Sequence, residues 1–134
     1  ASMSDTAGTL PDEIPAMRAI AMPADTNANG DIFGGWLLSL MDLSAGTVAA
    51  RRSRGRVATV ALDAMSFIAP GKVGDEGSGY TRIPPVGRTP LRVEVEAWRR
   101  ARASEEASKV TRGLFTFVAI DENGRPRPLP PEEA

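Results

Sequence analysis

At 134 residues, with a formal net charge of −1 and ordinary apolar and charged fractions, the chain has room for one domain with a real core, and nothing in its charge points to nucleic acid or a membrane surface as a partner. It contains neither cysteine nor histidine, which excludes a disulfide framework, a thiolate nucleophile, a zinc site of the usual ligands and any histidine general base. Acid–base chemistry, if the chain performs any, falls to carboxylates, with lysine and the single tyrosine as distant candidates.

Residues 1–14 are polar, punctuated by Gly8 and Pro11, and read as a flexible leader. They lack the basic-then-apolar order of a secretory signal, and no apolar run reaches the roughly 18 residues needed to span a bilayer, so a cytoplasmic location is expected. Residues 16–22 read as a short strand ended by Pro23. A turn-rich loop follows, in which Asn27, Asn29, Gly30 and Asp31 precede the pair Gly34-Gly35. From about Gly35 to Arg52 the composition turns apolar or small and predicts a helix about 27 Å long. Its small residues Ser44, Ala45, Gly46, Ala49 and Ala50 would admit a sheet on more than one side, as in a central helix. Asp42 resists this pattern. A carboxylate among apolar neighbours costs several kcal/mol to bury unless it is paired or hydrogen-bonded.

Arg51, Arg52, Arg54 and Arg56 close the helix with cations at the negative end of its dipole, and Gly55 is the expected stop. The same cluster could instead hold phosphate oxygens. Strands are predicted over residues 57–68, 77–83, 91–98 and 109–120. In the third, Leu91, Val93, Val95 and Ala97 alternate with Arg92, Glu94, Glu96 and Trp98, giving one dry and one wet face. The domain is expected over 15–125, with an irregular Pro-rich tail at 126–134. One helix followed by four or five antiparallel strands is an α+β pattern, with a curved sheet around the helix and a second subunit completing the enclosure.

The remaining carboxylates have plainer readings. Asp63, in an alternating strand, reads as a solvent or pairing residue, and Asp25 and Asp31 as turn formers. Asn27 is either a turn residue or a functional one. Asp42 could be a structural acid paired with an arginine, and Arg88 either a solvated charge or a phosphate contact. Phe115 and Phe117 read as core.

The run Met22-Pro23-Ala24-Asp25-Thr26-Asn27-Ala28-Asn29-Gly30-Asp31-Ile32-Phe33-Gly34-Gly35-Trp36 with Met41-Asp42, then Asp63-Ala64-Met65-Ser66-Phe67, Val73-Gly74-Asp75, Gly87-Arg88-Thr89 and Phe115-Thr116-Phe117-Val118-Ala119, resembles the acyl-CoA hydrolase family of hotdog-fold thioesterases. The likeness covers roughly residues 15 to 130, and several separated motifs occur in the family's order. It implies a curved antiparallel sheet around one long helix, dimers made by pairing the second strands, and often a trimer of dimers. It also implies hydrolysis of acyl-CoA to free acid and CoA without a cofactor or metal, CoA being part of the substrate.

By the same resemblance Asp42 is the catalytic carboxylate, Asn27 lies in an active site formed across the dimer interface, and the amide at Gly34-Gly35 is the oxyanion donor. Phe33, Gly34 and Phe67 fall among the substrate-binding residues, and Gly87, Arg88 and Thr89 where the family contacts CoA. Pro90 departs from the hydroxyl residue that many relatives carry, and Ile68-Ala69 replaces bulkier or basic residues. The dehydratase branch of the fold needs a histidine that this chain lacks. A noncatalytic acyl-CoA binding or sensing module is the alternative.

Overall fold

A computed structural model describes residues 8–31, 34–63, 71–84 and 90–131. It contains strand β1 (Met17–Ile20), helix α1 (Gly34–Ser53), and strands β2 (Val57–Asp63), β3 (Glu76–Arg82), β4 (Leu91–Arg100) and β5 (Ala107–Ala119). The strands form one antiparallel sheet in the order β1-β3-β4-β5-β2, strongly curled, with α1 in its hollow. This is the α+β hotdog architecture that the resemblance implies. The strand expected to run to residue 68 is β2 as far as Asp63, and its continuation lies outside the described residues. No helix is long and apolar enough to cross a membrane among the described residues.

The alternation in β4 works as expected on its dry side. Leu91, Val93, Val95 and Ala97 are fully buried against α1 together with Met41, Leu40, Phe115 and Phe117, whose rings stack at 6.4 Å. Strand β3 meets the helix differently, through Gly77 and Gly79. A Cβ at Gly77 would come within 3.0 Å of the Trp36 ring, and one at Gly79 would overlap the Ser44 hydroxyl. Trp36, Leu40 and Ser44, four residues apart, form one ridge of the helix, and that ridge rests on the bare backbone of β3. The small residues of α1 are half of this close approach, and the strand glycines are the other half.

The wet side of β4 departs from the expectation at Trp98. The register shifts between Ala97 and Trp98, and Trp98 is buried at 8% exposure in a second cluster with Tyr80, Ala107 and Leu10 on the outer face. Its indole N–H donates to Glu96 at 3.1 Å, which satisfies the polar end of a buried ring. Gly8 exchanges backbone hydrogen bonds with Ala107, so the chain before β1 covers this patch. Elsewhere the outer face is charged. Glu76 gathers Arg18 and Arg100 at 3.3 Å each, and the hydrogen bond and charge of Glu76 push the Arg100 guanidinium pKa up against the opposing effect of burial.

The helix ends one residue earlier than Gly55 implies. Arg54 takes the left-handed conformation (φ 56°), and the paired bonds from Gly55 N to Ala50 O and from Arg54 N to Arg51 O make a Schellman motif. Gly55 serves another purpose: a Cβ there would lie 2.6 Å from the Arg127 guanidinium. Arg127 donates to Ser53 O and Ile120 O at 2.9 Å, and Arg52 donates to Pro130 O at 2.8 Å. Arg56 bonds Glu122 O. Two arginines of the 51–56 run thus hold the segment after β5, together with the backbone bond from Arg127 N to Ala119 O at 2.9 Å and the antiparallel bridge between Ile120 and Pro126.

Candidate active site

The curled sheet covers only part of α1. Gly35, Leu38, Ser39, Leu43 and Thr47 are exposed, and Asp42 sits half-buried among them, spaced so that they share one helix face. Leu43 is 54% exposed, and Val60 on the neighbouring edge strand β2 is 56% exposed. The sequence places Asp42 among buried apolar residues. Within one protomer it instead lies at the margin of the core, between fully buried Met41 and exposed Leu43.

Asp42 Oδ1 accepts a hydrogen bond from the Thr59 hydroxyl at 2.9 Å. Thr59 faces the helix because it pairs with core-facing Phe117, and the register shift between Thr59 and Ala61 then returns Leu62 to the same side opposite Phe115. A bulge on the edge strand therefore lets a hydroxyl and a core leucine both point inward three residues apart. No described residue donates to Asp42 Oδ2, and no described arginine pairs with this carboxylate. Among the described residues the ion pair of the structural reading is not found; Arg88 lies outside them. Asp63, next to Leu62, points to the other side of the sheet, away from Asp42.

The start of α1 lies at one end of this face. Gly34 and Gly35 are exposed, the first turn holds no acidic residue, and a Cβ at Gly35 would meet nothing within 4 Å. The first amides of a helix have no partner within it and carry partial positive charge.

Asn27 organises the loop before the helix. Its side-chain Oδ1 accepts from the amides of Asn29 at 2.9 Å and Asp31 at 3.2 Å, while its backbone N–H donates to Asp31 O at 2.8 Å. Gly30, in a left-handed conformation, closes the turn onto Asn27 O. Among the described residues the Asn27 amide group has no partner, and Asn27 and Asp42 do not hydrogen-bond to each other within one chain. Phe33, Phe67, Gly87, Arg88 and Thr89 lie outside the described residues.

Thr59 is the site residue that sequence reasoning misses. A threonine in a strand is ordinary, and its aim is set by its pairing with Phe117 just ahead of the bulge. Among the described residues no group of three carboxylate, histidine or cysteine side chains could hold a metal ion. The arrangement can orient a carboxylate through one oxygen, leave the other open, and offer backbone amides nearby on the same helix face.

A family model of the thioesterase superfamily matches residues 29–105. Over 117 residues the chain is 57% identical to an uncharacterized acyl-CoA thioester hydrolase of Zymomonas mobilis, covering 87% of this chain and 78% of the relative. It is 44% identical to the acyl-CoA thioester hydrolase YciA of Escherichia coli over 130 residues, 95% of this chain and 98% of that one. Among solved structures, the hexameric thioesterase y2039 from Yersinia pestis superposes with a TM-score of 0.85 at 42% identity, covering 91% of this chain and all of the other. With that fold, that helix face and these relatives, the chain belongs to the thioesterase superfamily, and within it to the hotdog-fold acyl-CoA hydrolases that its motifs resemble.

Proposed function

We propose that the protein hydrolyses acyl-CoA thioesters to the free carboxylic acid and CoA, with Asp42 as the catalytic carboxylate. The observation that carries this reading is the Asp42–Thr59 pair: one carboxylate oxygen is fixed at 2.9 Å, and no described residue donates to the other. In the general-base route Oδ2 takes a proton from a water as that water's oxygen bonds to the thioester carbonyl carbon. The carbonyl oxygen then carries negative charge, and the amides at Gly34 and Gly35 are the donors for it. One such donor is typically worth about 3 to 4 kcal/mol. Collapse of the tetrahedral intermediate breaks the C–S bond, and the thiolate leaves with CoA. In the nucleophilic route Oδ2 itself bonds to the carbonyl carbon, CoA leaves, and water cleaves the mixed anhydride.

The Asn27 amide is a donor that can hold the water or the substrate carbonyl. Asn27 and Asp42 do not hydrogen-bond to each other in one protomer, and the complete site is proposed to join Asn27 of one chain to Asp42 of another. Exposed Leu43 and Val60 and the unpaired edge of β2 support a dimer made along β2, and the hexameric structural relative supports three such dimers in the assembly. Phe33 and Phe67 are proposed around the acyl group, and Gly87, Arg88 and Thr89 around CoA.

The test is release of free CoA thiol from a panel of acyl-CoA esters of increasing chain length. Turnover supports the thioesterase reading; binding without release would replace it with a noncatalytic acyl-CoA module. Single turnover in ¹⁸O-water separates the two routes, because only the anhydride route can leave label in the Asp42 carboxylate.

A further inference from the structure

Between the Asn27 loop and the sheet runs a continuous set of polar contacts that the proposed chemistry does not use. Asp75 is buried at 8% exposure in the turn before β3. Its Oδ2 accepts from Arg99 of β4 at 3.0 Å and from the Lys72 backbone N–H at 2.9 Å. The backbone of the same turn is pinned to the chain beyond β1, by Ala21 N to Asp75 O and Gly74 N to Ala21 O, each at 2.9 Å. Lys72 then reaches across. It forms an antiparallel bridge with Asp31, and its ammonium lies 2.8 Å from Asp31 Oδ1. Asp31 is the residue whose carbonyl accepts from Asn27 N and whose amide donates to Asn27 Oδ1.

We infer that Lys72, anchored through Asp75 and Arg99, is a positioning residue for Asn27, an inference that rests on the reading of Asn27 as a site residue. Among the described residues the loop from Asn27 to Gly30 is exposed, and its hydrogen bonds are those of its own turn. A turn fixes the shape of a loop but not its place on the molecule. The Asp31–Lys72 contact is the connection that carries the rigidity of β4 to that loop, and Asp75 fixes where Lys72 stands. A water or carbonyl held by the Asn27 amide is sensitive to displacements well below 1 Å, so loosening this contact acts on the chemical step more than on substrate binding.

The Lys72 side chain is 68% exposed, so its removal leaves the core untouched. Exposed ion pairs are typically worth up to about 1 kcal/mol, which sets the expected loss at about two- to fivefold. The experiment compares kcat, KM and the thermal midpoint of wild type, Lys72→Ala, Asn27→Ala and the double variant with one acyl-CoA substrate. Lys72→Ala is expected to lower kcat by that factor with KM and thermal midpoint unchanged. In the Asn27→Ala background the same substitution should cost nothing further, and the charge swap Lys72→Asp with Asp31→Lys should recover part of the loss. Added salt should lower wild-type kcat towards that of Lys72→Ala while affecting the variant less.

An unchanged kcat in Lys72→Ala overturns the inference while leaving the thioesterase reading intact. So does an equal loss in both backgrounds, or a loss matched by a fall in thermal midpoint, since either marks a structural role. Asn27→Ala with full kcat also overturns it, by removing the residue being positioned. Absence of CoA release by wild type overturns the function itself, and the inference falls with it.

Discussion

Thr59 on the edge strand donates its hydroxyl to Asp42 on the helix at 2.9 Å; its pairing with core-facing Phe117 turns it towards the helix, and the one-residue bulge that follows returns Leu62 to the same side. The contact joins the two elements that bound the uncovered face of α1. Among the described residues it leaves the carboxylate with one constrained oxygen and one that receives no donor, the condition for a directed proton transfer or a directed attack.

Thr59→Ala removes that constraint without adding bulk. A hydrogen bond to a charged group is typically worth about 1.5 to 3 kcal/mol, so kcat should fall by about ten- to a hundredfold with KM little changed. Thr59→Ser keeps the hydroxyl and should retain most of the activity. Steady-state kinetics on the three proteins checks this, and equal losses in Ser and Ala variants would show that the methyl group rather than the hydroxyl matters.

Gly79→Ala should destabilise the fold, because the new methyl group would overlap the Ser44 hydroxyl and the helix would have to lift from β3. Overpacking of this kind costs about 1 to 3 kcal/mol. Chemical denaturation should show the midpoint falling, with partial recovery when Ser44→Gly is added. A midpoint unchanged from wild type would mean that the helix does not rest on this backbone.

Leu43→Glu and Val60→Glu place charge on the apolar surface that one protomer leaves open. Both should lower the mass of the assembly in sedimentation velocity and abolish turnover together, since the proposed site joins Asn27 of one chain to Asp42 of another. An intact assembly in both variants would place the subunit contact elsewhere.

The sequence makes the elements and their order legible, because each strand carries its own apolar pattern and Asp42 stands out against its helix. What it leaves hidden is where neighbours act on a residue. Trp98 sits at a wet position of a regular alternation, yet the register shift and Leu10 bury it. Gly77 and Gly79 look like weak strand residues until the helix ridge is set on them. Arg54 rather than Gly55 takes the left-handed position, since the glycine is needed where Arg127 packs. Thr59 is the same case at the site: no local pattern distinguishes it, and its pairing with Phe117 just ahead of a one-residue bulge sets which way it points. Asn27 shows the reverse. Its turn-forming role is readable from the loop composition, and its part in the site comes only through the resemblance.

The measurement that bears most directly on the account is the rate of CoA release by Asp42→Asn beside wild type, with folding and assembly confirmed for both. Asparagine preserves the size of the side chain and the bond from Thr59, but it can neither take a proton from water nor form an anhydride readily. The account predicts turnover lower by at least about a hundredfold, or some 2.7 kcal/mol in the barrier, with acyl-CoA still bound. Turnover within a few-fold of wild type would contradict it and return Asp42 to a purely structural role.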